Sequence, residues 1–363
     1  MRRVTDQKPM SRFFTSKFSG LEPYTPGEQP RDMQYIKLNT NESPFPPSEK
    51  AIRYAAEEAE RLRLYPDPEC KVLTEKLAAY YDVSPENIIV NNGSDETLYF
   101  AFMAFCDEKR PAFFPEISYG FYPVFAQVNR LPYTEIPLRE DFTVDPGDYV
   151  GKNAFVVIAN PNAPTGIALS LEQVERIVAG NPDGVVVIDE AYVDFGAQSA
   201  VPLTKKYDNL LVVQTYSKSR SMAGARLGFG ISSAALIRDL NTIKFSTNPY
   251  NINRMTMAAG IGALEDDAYM KANSAKIMEN RAYTVKELEK SGFTVLPSAA
   301  NFIFAKHPKI DGKEMYLTLK ENGILVRHFD KPSLCQYNRI TIGTREQMET
   351  FIATVRKLWE AAR

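Results

Sequence analysis

Three apolar runs, each followed by polar residues, decide the fold: FVVIANPNAPTG (155–166), VVVIDEAY (185–192) and LLVVQTYSKSRSMAGARLGF (210–229). Each begins as a continuous β-branched or aliphatic run without polar alternation, which is typical of strands that helices cover on both faces. A helical pattern opened by the capping-box spacing Ser170-x-x-Gln173 separates the first two runs. Strand, helix and strand in this order predict an α/β fold with a parallel or mostly parallel sheet.

The 363 residues divide into three predicted parts. Residues 1–47 are rich in proline and polar groups, and we expect them to form an extended N-terminal arm. Residues 48–262 alternate helical and strand patterns and are predicted to form a large domain. Residues 263–363 are predicted to form a smaller α+β domain with a long helix over about 265–290, a closing helix from Thr344-x-x-Gln347, and short strands near FIFA (302–305), ILV (324–326) and RITI (339–342).

The composition disfavours several classes of protein. Lys+Arg total 43 and Asp+Glu 45, and the formal net charge of −2 gives no broad attraction to nucleic acid or anionic membranes. Three cysteines without a CxxC pair and two histidines argue against a disulfide framework or a metal site. The longest uncharged apolar run, Thr97 to Cys106, is far below the roughly 20 residues of a membrane span, and no signal-peptide core is present. We therefore expect a soluble, cytoplasmic protein.

Polar side chains follow each of the three strands, at the sheet edge where ligands bind in open α/β folds. They supply an amide, a carboxylate, a phenol, an amine and a guanidinium: Asn162, Asp189, Tyr192, Lys218 and Arg226. A nucleotide site is disfavoured, because the chain has no GxxxxGK[ST] loop and its nearest glycine cluster lacks the GxGxxG spacing. Taken singly, Asp189 could cap a helix and Lys218 could be a solvated surface lysine. Their combination favours a ligand-binding site.

This combination suits an aldehyde cofactor that carries a phosphate. Lys218 can form a Schiff base and then act as a general base, while Ser217 and Arg226 can bind the phosphate. Asp189 can pair with a pyridinium nitrogen, which makes the ring an electron sink, as pyridoxal phosphate chemistry requires. Asn162 and Tyr192 can both donate hydrogen bonds to the 3-oxygen of the ring.

A second phosphate-binding group is predicted where Gly93-Ser94-Asp95 follows a short strand at 88–90 and opens a buried helix. The N-terminus of a helix attracts anions. The alternative is an ordinary Ser or Asp helix cap.

With these residues in place, the motifs NPNAPTG, DEAY and SKSRSMAGARLGF resemble those of the fold type I pyridoxal-phosphate aminotransferases. The segments LEPYTPG (21–27), LNTNESP (38–44), Tyr65-Pro-Asp and NRITIGTR (338–345) narrow the resemblance to the histidinol-phosphate aminotransferases. The resemblance covers nearly the whole chain, in order. It implies a large domain with a mostly parallel, seven-stranded sheet and a smaller C-terminal α+β domain.

The resemblance also implies a role for each candidate residue. Lys218 would be the Schiff-base lysine, Asp189 the partner of the pyridinium, and Tyr119 the residue stacked on the ring. Tyr192 and Asn162 would contact the 3-oxygen. The phosphate pocket would consist of Ser94, Asp95, Ser217 and Arg226. Tyr65 would reach the cofactor of a partner subunit, which implies a homodimer with shared sites.

The substrate's anionic end would meet Arg327 and Arg339, and Tyr24 would close over it. As strand residues, both arginines could instead be merely solvated. The chain departs from related sequences at Ala163, where many relatives have Asn directly before PTG, and in the arm, where NESPFPP replaces NENPYGP.

The activity implied by the resemblance is transamination of L-histidinol phosphate with 2-oxoglutarate, which gives imidazole acetol phosphate and glutamate in histidine biosynthesis. One alternative is the threonine-phosphate decarboxylase of cobalamin synthesis, from which Glu42 in the arm distinguishes the chain. Another is an aromatic amino-acid aminotransferase. A non-catalytic pyridoxal-phosphate sensor would need a DNA-binding module, and the arm has no helix-turn-helix pattern.

Overall fold

The computed structural model describes residues 11–21 and 24–361, so residues 1–10 and 22–23 of the predicted arm and residues 362–363 lie outside the described part. The helices in this part are α1 (Glu49–Ala59), α2 (Lys71–Tyr81), α3 (Ser94–Phe105), α4 (Phe121–Asn129), α5 (Leu171–Ala179), α6 (Ala234–Thr247), α7 (Arg254–Glu265), α8 (Asp267–Lys290), α9 (Gly312–Glu321) and α10 (Arg345–Ala361). The strands are β1 (Ile36–Lys37), β2 (Ile88–Asn91), β3 (Ala112–Pro115), β4 (Tyr133–Ile136), β5 (Phe155–Ala159), β6 (Val186–Asp189), β7 (Leu210–Thr215), β8 (Gly228–Ile231), β9 (Thr294–Val295), β10 (Phe302–Lys306), β11 (Ile324–Leu325), β12 (Arg327–His328) and β13 (Asn338–Thr341).

The predicted mostly parallel sheet is confirmed. Seven strands lie in the order β2-β8-β7-β6-β5-β3-β4, and only β8 runs antiparallel to its neighbours. The three runs that decided the fold form the adjacent strands β5, β6 and β7. Their carboxyl ends therefore meet at one edge of the sheet, which brings the polar segments after them together.

Burial on both faces explains why these strands carry no polar alternation. Val156, Ile158 and Ile188 pack into the core on one face of the sheet. Phe155, Val157 and Val187 pack into a second core on the opposite face. Successive strand residues point to opposite faces, so a strand covered on both sides must be apolar throughout.

The C-terminal part of the chain forms a second, antiparallel sheet in the order β12-β13-β10-β9. Both predicted capping boxes are present. The Ser170 hydroxyl accepts from the Gln173 N–H at 3.2 Å, and the Thr344 hydroxyl accepts from the Gln347 N–H at 3.3 Å. Each glutamine side chain accepts in return from the backbone N–H of the capping residue, at 2.9 Å in both cases. These reciprocal bonds satisfy backbone groups that a helix start leaves open.

The arm is more structured than its composition predicts. Its strand β1 pairs in parallel with β11, so that Ile36 lies opposite Ile324, and Leu38 is buried in the core of the C-terminal part. The predicted boundary at residue 262 falls inside α7, and the division into domains stays a prediction. Among the described residues, no helix is both long and apolar enough to cross a bilayer.

Gly228 provides a test of how tightly β8 packs against the start of α3. An added Cβ at Gly228 would lie 2.2 Å from the Ser94 nitrogen and 2.5 Å from the Gly93 carbonyl carbon, and both are backbone atoms that cannot rotate away. We expect Gly228→Ala to lower the free energy of unfolding by about 1–3 kcal/mol, as overpacking does. Urea unfolding monitored by circular dichroism measures this change.

Gly224→Ala is the matched control, because nothing lies within 4 Å of the position that its Cβ would take. Equal unfolding free energies for the two variants would show that β8 and α3 are not in this close contact.

Candidate functional site

A cavity of about 330 Å³ lies at the carboxyl ends of β5, β6 and β7. Eight of the predicted site residues line it: Ser94, Asp95, Tyr119, Asp189, Tyr192, Ser217, Lys218 and Arg226. A second cavity of about 490 Å³ shares Tyr119, Tyr192 and Lys218 with the first, and three further predicted residues line it: Tyr24, Arg327 and Arg339. The fold thus brings eleven of the predicted residues into two connected cavities.

Asp189 is the last residue of β6, and its side chain is buried against the first cavity. The Tyr122 hydroxyl donates to Oδ2 at 2.9 Å, and the backbone N–H of Ala191 donates to Oδ1 at 3.3 Å. Burial raises the pKa of Asp189 to about 6, against the lowering effect of the Tyr122 hydrogen bond. The site therefore holds a carboxylate whose charged form needs a further partner.

Lys218 follows β7 in a short loop and is partly buried. Its Nζ lies 3.4 Å from the Thr40 carbonyl oxygen, to which it donates, and 5.7 Å from the centroid of the Tyr192 ring. The preceding Ser217 hydroxyl lies 3.0 Å from the Thr215 hydroxyl. The amine thus lies beside a backbone carbonyl and the ring of a phenol.

The far end of the first cavity is built for an anion. The helix α3 begins there, after Gly93, whose φ of +81° belongs to the left-handed region. An added Cβ at Gly93 would lie 2.7 Å from a guanidinium nitrogen of Arg226, so glycine is needed for this close approach. The N-terminus of a helix and a guanidinium together attract a phosphate group.

Asp95 lines the same end of the cavity, but its carboxylate already has partners. Oδ2 lies 3.0 Å from a nitrogen of Arg226, and Oδ1 accepts from the Tyr119 hydroxyl at 2.8 Å. Burial, followed by the charge of Asp95, raises the pKa of Tyr119 well above its ordinary value, so this phenol stays protonated. Asp95 thus orients the Arg226 guanidinium and the Tyr119 ring.

The second cavity carries two guanidinium groups on neighbouring strands. Arg339 donates to the Asn39 carbonyl at 2.9 Å, whereas its buried Nε makes no hydrogen bond within the described residues. Burial lowers the pKa of Arg339 from its ordinary value. Arg327 lies opposite Arg339 in the sheet and donates to the carbonyls of Thr25 and Pro26 at 3.3 Å each. Two half-buried guanidinium groups, one of which has a buried and unused donor, suit an anionic ligand.

Two predicted residues do not line either cavity. The Asn162 amide bonds to the segment that follows β3, where Nδ2 donates to the Ile117 carbonyl at 2.9 Å and Oδ1 accepts from the Ser118 hydroxyl at 2.8 Å. Its neighbour Ala163 lines both cavities. Tyr65 is 79% exposed and stacks on Tyr250 with the ring centroids 4.7 Å apart.

Four residues that shape the site are not among the predicted ones. Tyr122 donates a hydrogen bond to Asp189. Its only signal in the sequence is a second tyrosine after Tyr119, in SYGFY (118–122). The other three are Thr40, Asn41 and Glu42, which contact the site directly or line the first cavity. The segment LNTNESP that contains them narrows the resemblance, and Glu42 distinguishes the chain from the decarboxylase, but neither inference places these residues in the site.

Comparisons with known proteins agree with this geometry. A family model described as "Aminotransferase class I and II" matches residues 33–355. The histidinol-phosphate aminotransferase of Marinomonas sp. (strain MWYL1) is 51% identical over 353 residues, which cover 96% of this chain and 100% of that protein. The same-named protein of Brachyspira hyodysenteriae (strain ATCC 49526 / WA1) is 49% identical over 349 residues, or 96% of this chain and 99% of that one.

Among solved structures, the histidinol-phosphate aminotransferase from Sinorhizobium meliloti in complex with pyridoxal-5'-phosphate has a TM-score of 0.88 with this chain. The alignment covers 98% of this chain and 99% of that one at 24% identity, so it shows that the two share a fold. Together with the identities of about one half over nearly the full length, this places the chain in a family. The chain belongs to the aminotransferase class I and II family and, within it, to the histidinol-phosphate aminotransferases.

Proposed function

We propose that the protein uses pyridoxal phosphate to transfer an amino group between L-histidinol phosphate and 2-oxoglutarate, a step of histidine biosynthesis. The observation that carries the proposal is one cavity that holds the Lys218 amine, the buried Asp189 carboxylate and the Arg226 guanidinium beside the start of α3. Two relatives named histidinol-phosphate aminotransferase are about 50% identical to this chain, which supports the choice of reaction.

The residues fit the cofactor at both ends of the cavity. When bound, pyridoxal phosphate supplies an aldehyde that exchanges with amines and a ring that withdraws electrons. Ser94, Ser217 and Arg226 would hold its phosphate, while Asp95 orients Arg226. Asp189 would keep a proton on the ring nitrogen, which gives this buried carboxylate the partner that it lacks.

The remaining residues of the first cavity would direct protons and orient the ring. The Lys218 amine would accept the proton that leaves the substrate carbon and return it at the neighbouring position. Tyr119 would stack on the ring, and Tyr192 would donate a hydrogen bond to the 3-oxygen. We also propose Asn162 for that oxygen, which requires its Nδ2 to exchange its bond to the Ile117 carbonyl or to the Thr165 hydroxyl.

The second cavity would bind the substrates. Histidinol phosphate ends in a phosphate and 2-oxoglutarate in carboxylates, and a guanidinium can bind either group through two parallel hydrogen bonds. We assign this function to Arg339 and Arg327, with Tyr24 closing the cavity. Tyr24 lines this cavity, and its ring stacks on Phe121 with the centroids 4.3 Å apart.

We further propose a cytoplasmic homodimer in which Tyr65 reaches the cofactor of the partner subunit. The exposed Tyr65–Tyr250 pair offers an aromatic surface for such an interface.

The proposed reaction predicts that glutamate forms only when a suitable amino donor is supplied. The protein loaded with pyridoxal phosphate should form glutamate from 2-oxoglutarate when L-histidinol phosphate is supplied. Lys218→Ala should reduce the rate by about 10²–10⁴-fold, because the general base is lost. The surface variant Lys206→Ala should match the parent.

The alternatives have different outcomes in the same assay. Carbon dioxide released from O-phospho-L-threonine would identify a decarboxylase. Glutamate formed with phenylalanine but not with histidinol phosphate would identify an aromatic aminotransferase and remove the phosphate-binding function from Arg339.

Asp189→Asn should abolish turnover and yet stabilise the cofactor-free protein at neutral pH. Burial raises the pKa of Asp189 from 3.8 to about 6, so the folded protein loses this proton at a higher pH than the unfolded chain does. The parent's stability therefore falls as pH rises from 3.8 to about 6, by about 3 kcal/mol in total, whereas the variant's does not. Urea unfolding at about pH 4 and about pH 8 measures the difference.

Exposed Asp208→Asn is the control, since its side chain is in solvent. If Asp189→Asn changed the free energy of unfolding by the same amount at both pH values, burial would not raise the pKa of Asp189 in the folded protein.

Arg339→Met should reduce kcat/KM for histidinol phosphate by about 10- to 100-fold, since a charge-assisted hydrogen bond contributes about 1.5–3 kcal/mol. The kcat/KM for L-histidinol, which has no phosphate, should fall much less. The ratio of kcat/KM for the two donors is the measurement, and exposed Arg110→Met is the control. A ratio that is unchanged in Arg339→Met would place the phosphate elsewhere.

A further inference from the structure

Three consecutive residues of the arm each contact a different candidate residue of the site. The Asn39 carbonyl accepts from Arg339 at 2.9 Å, and the Thr40 carbonyl accepts from Lys218 at 3.4 Å. The Asn41 side-chain amide then lies 3.0 Å from the Tyr192 hydroxyl oxygen. One short segment thus touches the substrate-binding, amine-bearing and phenol groups, which come from three separate parts of the chain.

Asn41 is buried, and both its backbone N–H and its carbonyl are hydrogen-bonded. It is 1% exposed, and its φ of +56° lies in the left-handed region, which asparagine adopts more readily than most residues with a side chain. Its N–H donates to the Thr341 hydroxyl at 3.0 Å, and its carbonyl accepts from the Asn301 amide at 3.0 Å. These two hydrogen bonds fix the backbone at Asn41, so its side chain leaves the loop in a defined direction.

These contacts also settle which way the Asn41 amide faces. The Thr341 hydroxyl accepts from the Asn41 N–H, so its own proton is free to go to the Asn41 Oδ1, which lies 3.0 Å away. The opposite end of the amide, Nδ2, therefore faces Tyr192 and donates to the phenol oxygen. A flipped amide would turn Oδ1 toward the phenol, which would then donate its proton to Asn41, and would leave the Thr341 proton without its Oδ1 acceptor.

The direction of this bond decides where the Tyr192 proton can go. Because the phenol oxygen accepts from Asn41, its O–H cannot be donated to Asn41 and is free for a partner in the cavity that Tyr192 lines. Accepting one hydrogen bond also makes the phenol a stronger donor in the next one. The Tyr192 ring itself is fixed edge-on to Phe302, with the centroids 5.0 Å apart.

We propose that Asn41 is a positioning residue that directs the Tyr192 O–H toward the ring oxygen of the cofactor. The inference rests on the proposed function, because it assumes that pyridoxal phosphate occupies the first cavity. Through Thr341, which lies two residues after Arg339 on β13, the same asparagine ties the phenol to the strand that carries the substrate-binding arginine.

The test is a pH titration of the absorption of the bound cofactor in the loaded protein. A hydrogen bond to the ring oxygen stabilises its negative charge, so weakening that bond should move the midpoint of the absorption change to higher pH. In Asn41→Gly the backbone keeps its left-handed conformation without strain while the donor is lost. We expect the midpoint to rise by several tenths of a unit to about one unit.

Asn41→Asp keeps the shape and the Thr341 contact but replaces the donor by an acceptor, so its rise should exceed that of Asn41→Gly. It also serves if the glycine variant does not fold. In the Tyr192→Phe background, Asn41→Gly should leave the midpoint where it is, because no hydroxyl is left to direct.

Asn301→Ala controls for loosening of the loop, since Asn301 bonds to the Asn41 carbonyl and not to Tyr192. It should lower Tm and leave the midpoint unchanged. The proposal fails if the midpoint is unmoved in both Asn41 variants, if it moves equally in Asn301→Ala, or if it still moves in the Tyr192→Phe background. A parent protein that takes up no pyridoxal phosphate would overturn the proposed function and this inference together.

Discussion

The hydrogen bond from Tyr122 to Asp189 holds a carboxylate inside the protein, and the rest of the site is arranged around that charge. A buried carboxylate is unfavourable unless it is paired or hydrogen-bonded. The next residue, Glu190, is buried as well, but its side chain points to the opposite side of the sheet, as alternation along a strand requires. There it accepts from the Ser199 hydroxyl at 2.6 Å and from the Gln214 amide at 2.8 Å. The Glu190 carboxylate is thus bonded only within the fold. The Asp189 carboxylate also lines a cavity, where a ligand can reach it.

The arm connects this cavity to the C-terminal sheet. Its strand β1 is fixed by β11, and the residues that follow run directly between the Lys218 amine and the strand β13. The arm is therefore part of the wall of both cavities rather than an appendage. A substitution in this segment would alter both cavities together, although none of its residues belongs to the three motifs that decide the fold.

Local patterns made most of the fold predictable, and long-range contacts account for what was missed. The strands β5, β6 and β7 and both capping boxes follow from residues that are adjacent or three apart, so composition and spacing suffice to predict them. The Tyr122–Asp189 bond joins residues 67 apart, and Tyr122 lies in an apolar stretch that indicates only a core helix. The pairing of β1 with β11 spans almost the whole chain, and nothing in the polar arm indicates its partner.

Asn162 illustrates a different limit. Its place after a strand and before Pro-Thr-Gly predicts a residue near the ring oxygen, and the loop indeed lies at the cavity. Yet its amide bonds to the backbone of Ile117 and to the Thr165 hydroxyl, which the spacing of a motif does not specify. Motif position predicts where a residue lies, whereas competition among nearby donors and acceptors decides what its side chain contacts.

The two arginines of the second cavity show how the sheet prepares a site for an anion. Arg327 and Arg339 lie directly opposite each other on β12 and β13, and like charges in this position destabilise a sheet. The carbonyls of Asn39, Thr25 and Pro26 and the ring of Phe329 offset part of that repulsion, with the ring centroid 5.6 Å from Arg327 and 5.9 Å from Arg339. A phosphate or carboxylate between the guanidinium groups would remove the rest, because it adds the opposite charge where two equal ones face each other. In the proposed function, the same cross-strand pairing that costs stability in the free protein would favour an anionic substrate over a neutral one.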